Sequence, residues 1–84
     1  MSLDDLARTI NSREDLVLFL RALKQDFETN PNAWENINIS SYLDAIAAWI
    51  EDMDGLYRNQ GEEIPTYPTW KLIGAILFAA KFYE

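Results

Sequence analysis

From Ser40 to Arg58 the chain repeats its apolar residues with the period of an α-helix, and this stretch constrains the fold more than any other. Successive side chains on a helix turn by about 100°. Counted from Ile46, the residues Tyr42, Leu43, Trp49, Ile50, Met53, Leu56 and Tyr57 share an arc roughly 140° wide. Asp44, Glu51 and Gly55 point the other way, and Asp52 and Asp54 stand on the two borders. The spacing predicts a long central helix over about 40–60, with its rings turned inward and the rest of the chain laid against it.

At 84 residues the chain is one domain, 1–84. A chain of this size buries only about 60–65% of the surface its unfolded form exposes. Large rings must therefore supply much of the core. Three Trp, four Tyr and four Phe are available, each able to bury roughly 150–250 Å². Cysteine and histidine are absent. That removes disulfides and thiolate chemistry, and with them the usual general base and metal ligand. Carboxylates remain as the ordinary acid–base groups. Met1-Ser2-Leu3-Asp4-Asp5 has neither a basic nor an apolar leader segment, and the apolar run Leu72 to Ala80 is far short of the roughly 20 residues of a membrane helix. The expectation is a soluble, cytoplasmic protein with no membrane contact.

Four helices are predicted, giving an all-α, compact four-helix domain. Ser2 caps a short first helix in which Leu3, Leu6, Ala7 and Ile10 form the stripe. Ser12, with Asp15 three residues on, starts a second helix from about Arg13 to Thr29. Asn30-Pro31 ends it, because the residue before proline is pushed out of helical geometry. Pro31 to Trp34 has the makings of one isolated turn. Asn38, Ser40 and Ser41 are all candidate caps for the central helix, and Asp54 and Arg58 are spaced for a helical ion pair. Gly61 to Thr69 reads as an extended connector held by Pro65 and Pro68. A hydrophobic last helix covers about 70–83. Its Trp70, Ile73, Ile76, Leu77 and Ala80 make one face, while Phe78 and Phe82 point away. Two coverings suit those rings: Leu3, Leu6 and Ile10 of the same chain, or a homodimer formed helix to helix.

The formal net charge of −7 is concentrated in the middle of the chain. Between residues 26 and 63, Arg58 faces Asp26, Glu28, Glu35, Asp44, Glu51, Asp52, Asp54, Glu62 and Glu63. Such a surface is unsuited to nucleic acid, whose phosphates require Lys and Arg. It suits a basic protein partner, and equally it keeps a small protein soluble. Asp52-Met53-Asp54-Gly55 has the look of a calcium-loop fragment. Setting Gly55 at the loop glycine puts Ile50 and Gly61 where acids are required. No catalytic residue, metal ligand or cofactor can be named from these patterns. Acids from two helices, such as Asp26, Glu28, Asp44 and Glu51, leave a carboxylate-only metal-dependent hydrolase as the alternative.

The pattern Trp34-Glu35-Asn36, Tyr42-Leu43-Asp44-Ala45 and Trp49 through Tyr57 resembles a family of short, acidic, stand-alone bacterial domains of unknown function. The similarity runs from Arg13-Glu14-Asp15 through the C-terminal helix. It implies a bacterial, cytoplasmic, all-helical domain and brings no substrate, cofactor or catalytic residue with it.

The function expected is a non-catalytic protein–protein interaction module. Trp34, Ile37 and Ile39 are expected to fold back on the core, and Tyr67 can anchor its connector there; Glu51, Asp52 and Asp54, with the connector rings Trp34 and Tyr67, would engage a basic partner, and Phe78 and Phe82 would form a dimer interface. An inhibitor or immunity-type protein that neutralises a toxic enzyme fits the size and charge.

Overall fold

The computed structural model describes residues 2–83. Among them are four α-helices and no strand: α1 (Leu3–Arg8), α2 (Arg13–Thr29), α3 (Ile39–Asn59) and α4 (Trp70–Ala79), with a 3-10 turn at Pro31–Ala33. Each helix begins at a side-chain cap that the local sequence supplies. Ser2, Ser12, Asn38 and Thr69 accept from the backbone N–H of Asp5, Asp15, Ser41 and Leu72, respectively. At α2 the return bond of the capping box is displaced by one residue. The Asp15 carboxylate accepts from Asn11 N–H at 3.2 Å.

The core is built from Ala7, Ile10, Leu16, Phe19 and Leu23, with Ile73, Leu77 and Phe78 of α4 packed against it. α4 touches α1, α2 and α3, whereas no Cα of α2 comes within 8 Å of one in α3. This arrangement accounts for a helix that is apolar nearly all round: it is the central element, covered on several sides. Phe78 meets Phe19 edge-on at 6.2 Å. Of the two coverings expected for Phe78, the one within the chain is present, with Leu3 and Leu6 packed on the same cluster. Phe82 lies edge-on against Phe78 at 5.5 Å and keeps about half of its surface exposed.

Two elements depart from expectation. α4 ends at Ala79 rather than near residue 83, because the carbonyls that follow are given to another segment. The Lys81 carbonyl accepts from Glu35 N–H at 3.0 Å, and the Ala80 and Tyr83 carbonyls accept from the Asn36 side chain at 2.9 and 2.7 Å. α3 is rotated about its axis relative to the expected seating. Ala45 and Trp49 are buried, but Leu43 and Ile50, from the other half of the apolar arc, are 55% and 46% exposed, and Ile39 at the start of the helix is 73% exposed instead of folding back on the core. An arc roughly 140° wide is broader than one neighbouring helix can cover, so its far half stays uncovered.

Two glycines in helices play opposite parts. A Cβ at Gly55 would meet nothing within 4 Å, whereas one at Gly74 would lie 2.3 Å from Cδ1 of Ile10, which is 2% exposed. Gly74 is therefore what allows Ile10 to seat on α4. Gly55→Ala should raise stability by about 0.5–1 kcal/mol through helix propensity alone. Gly74→Ala gains the same propensity term but overpacks a filled site, typically at about 1–3 kcal/mol. It should lower stability, and urea melts of the two variants should shift in opposite directions.

Candidate functional site

Beneath the end of α4 lies a charged group inside the protein. Lys81 is only 7% exposed and is the buried charged residue among those described. Its Nζ sits 2.8 Å from Oδ2 of Asp26, in the last turn of α2. The Trp34 indole N–H donates to the same carboxylate at 2.8 Å. The ammonium also lies 5.7 Å from the centre of the Trp34 ring and 5.0 Å from that of Phe82, within cation–π reach. The Lys81 hydrogen bond, joined by that of Trp34, holds the Asp26 carboxyl below its ordinary value of 3.8 against the opposing pull of burial. Trp34, named as a partner-binding ring, is thus half-buried and bound within the fold.

Trp34 also begins a row of rings. It packs edge-on against Phe27 at 5.1 Å and tilts against Tyr42 at 5.8 Å. The Tyr42 hydroxyl donates to the Leu77 carbonyl at 2.6 Å, and burial pushes its pKa up to about 12. These rings wall a shallow apolar groove of about 330 Å³ between α2 and α3. Leu20, Leu23 and Phe27 line one side and Ile37, Ile39 and Tyr42 the other, with Leu77 between them. The groove exists because α2 and α3 each pack on α4 without closing on one another. Lys24 reaches its edge but is paired with Glu28 at 3.2 Å.

From the groove, the uncovered face of α3 continues through Leu43 and Ile50. Asp54 stands on one border of that face, with Glu51 and Asp44 farther round the helix on the same side, all exposed and with no hydrogen-bond or ion-pair partner among the described residues. Arg58 shares this border, but the expected Asp54–Arg58 ion pair is not formed. Asp52 belongs elsewhere. On the opposite border of α3 its carboxylate accepts from the Tyr83 hydroxyl, which raises the tyrosine's pKa. The structure therefore groups Glu51 and Asp54 with Asp44 and separates them from Asp52. Tyr67 stands 72% exposed on the connector, with no polar or ring partner among the described residues.

The acids considered for a metal site do not gather. Asp26 is engaged by Lys81 and Trp34, Glu28 by Lys24, and among the described residues no three carboxylates converge as metal ligands would. None of the helices is long and apolar enough to cross a membrane.

Residues 12–84 match the model of a family of unknown function, DUF7660. The chain belongs to that family, in keeping with the resemblance seen in the sequence to a family without assigned function. Comparisons with curated proteins and with solved structures find no match.

The two ends of the buried pair should respond unequally to substitution. Asp26→Ala strands the Lys81 ammonium in the interior, and such orphaned charges typically cost about 3–5 kcal/mol. Lys81→Met keeps the packing over Trp34 and Phe82 and leaves an Asp26 that still accepts from Trp34, so denaturant melts should show the smaller loss. Because the folded Asp26 pKa is lowered, its contribution is complete above about pH 4 and is lost as pH falls through the folded value. Asp26→Asn should flatten that acid limb. Tyr42 behaves in the opposite sense. Its raised pKa favours the fold below pH 10, and this contribution is lost as pH climbs toward 12. Tyr42→Phe should cost about 1 kcal/mol at neutral pH and flatten the alkaline limb of a pH–stability profile.

Proposed function

We propose that this member of the DUF7660 family is a non-catalytic protein–protein interaction module that engages a basic partner through α3. The observation that carries this reading is the set of exposed, unpaired carboxylates Asp44, Glu51 and Asp54 on α3, of which Asp54 borders a half-exposed apolar face. Charges arranged in this way steer encounter and select a partner of opposite sign, while apolar surface beside them supplies affinity. The remaining acids of the middle segment are less suited to that task, since Asp26, Glu28 and Asp52 are already engaged within the fold. An inhibitor or immunity-type role falls in the same class and adds that the partner is an enzyme.

The test is a pull-down from the native cell extract with the triple variant Asp44→Lys, Glu51→Lys and Asp54→Lys. Reversal of Glu62 and Glu63 on the connector serves as the control. The triple variant should keep its far-UV circular dichroism and lose a basic partner that the control retains, and capture by the unaltered protein should weaken as salt is raised. Capture of the same proteins by all three forms would overturn the proposal.

A further inference from the structure

Gly55 stands inside the 21-residue helix α3 with no reason for it in the fold. Backbone geometry does not call for a glycine, since among the described residues only Gly61 takes a positive φ. Packing does not call for one either, because a Cβ at Gly55 would meet nothing within 4 Å. A glycine inside a helix costs about 0.5–1 kcal/mol relative to alanine. What it does here is keep a side chain out of a pocket of about 510 Å³. Gly55 lines that pocket with Trp49, Asp52 and Leu56 of α3 and with Phe82 and Tyr83 beyond α4. Pockets that hold small ligands begin at about 300 Å³.

The walls of this pocket are held by the fold itself, so little order has to be imposed when a ligand enters. Trp49 is buried, and Phe82 leans edge-on against Phe78. The Tyr83 carbonyl accepts from the Asn36 side chain at 2.7 Å, and the Tyr83 hydroxyl donates to Asp52. Asp52 differs from the other engaged acids in the kind of partner it has. Asp26 and Glu28 are met by lysines, whereas the phenol that reaches Asp52 is a neutral donor and leaves its charge uncompensated. Neither Lys nor Arg lines the pocket. The Lys81 ammonium, 5.0 Å from the centre of the Phe82 ring, is already matched by Asp26.

An uncompensated carboxylate among aromatic rings attracts an organic cation, and the type of cation follows from the hydrogen bonds on offer. One oxygen of Asp52 is taken by Tyr83, so the two parallel bonds of a guanidinium are not available. A primary ammonium brings three N–H groups, but beyond Asp52 and the Asn59 amide the lining is chiefly aromatic and apolar. An alkylated ammonium asks for no hydrogen bonds and presents its methyl groups to the rings. We propose that this pocket binds a small alkylated ammonium ion, with Asp52 as its counter-charge and Trp49 and Tyr83 as the rings around it. The site lies on the border of α3 opposite Asp54. It goes beyond the reading of the protein as a binder of basic partners and does not depend on it.

The probe is choline, titrated at constant ionic strength while the Gly55 backbone and Trp49 indole N–H signals are followed by NMR. The control is its uncharged analogue, in which a quaternary carbon replaces the nitrogen and the shape is kept. Choline should shift both signals saturably, with a dissociation constant of about a millimolar, and the carbon analogue should bind about tenfold more weakly. Asp52→Asn keeps an oxygen for the Tyr83 hydroxyl and should melt close to the unaltered protein, while choline binding falls about tenfold. Gly55→Ala should melt later and yet bind choline more weakly, because its methyl group enters the pocket. Equal binding of choline and the carbon analogue would overturn the proposal, as would choline binding untouched by Asp52→Asn. No saturable shift at Gly55 and Trp49 would overturn it as well. None of these outcomes bears on the pull-down with Asp44, Glu51 and Asp54 reversed, so the two readings fail separately.

Discussion

A lysine ammonium held inside a protein must be given a carboxylate, and the fold is arranged around meeting that demand for Lys81. Asp26 supplies the charge, Trp34 fixes the carboxylate from its other side, and both rings flanking the ammonium add attraction. Three separate parts of the chain are brought to one point: the end of α2, the connector after it and the segment following α4. Helical geometry stops at Ala79, where the following carbonyls are taken by Glu35 and Asn36. Ion pairs of this kind contribute little net stability compared with an apolar substitute, while losing one partner is severe. Here the pair fixes the route of the chain.

That route explains the surface. With the connector tied to the end of α4, α3 sets out from a position apart from α2 and rests on α4. Among the described residues α3 meets α4 and no other helix, so only part of its broad apolar arc is covered. One half receives Tyr42, Ala45 and Trp49, and the other half, with Leu43 and Ile50, faces out. The carboxylates Asp44, Glu51 and Asp54 are kept free because the chain's basic groups are engaged elsewhere or lie on other elements, apart from Arg58.

The helices and their starts were legible in the sequence because caps and prolines act over three or four residues. Ser2, Ser12, Asn38 and Thr69 each take part in a bond whose two ends are adjacent in the chain. The burial of Trp49 was legible as well. The rotation of α3 was not, since a wide apolar arc says that a helix has a partner without saying which half the partner takes. For Lys81 the only local signal was its place between Phe78 and Phe82 on neighbouring turns. Its counter-ion lies 55 residues away in sequence, beyond any local rule. Phe78 was seen correctly as needing cover, but sequence alone left its source open. Of the residues expected at the partner site, Glu51 and Asp54 share a surface, while Asp52 and Trp34 serve the fold.

The dependence of the other helices on α4 bears on how the polypeptide matures during synthesis. α1 and α2 can meet early, but α3 has no helix to rest on until Trp70–Ala79 has left the ribosome, and Asp26 waits for Lys81 longer still. Until then the rings and the apolar face of α3 stay unsheltered. A species of that kind is prone to adventitious association, so the acidic middle, repelling neighbouring chains of the same kind, guards the molecule before it is folded as well as afterwards.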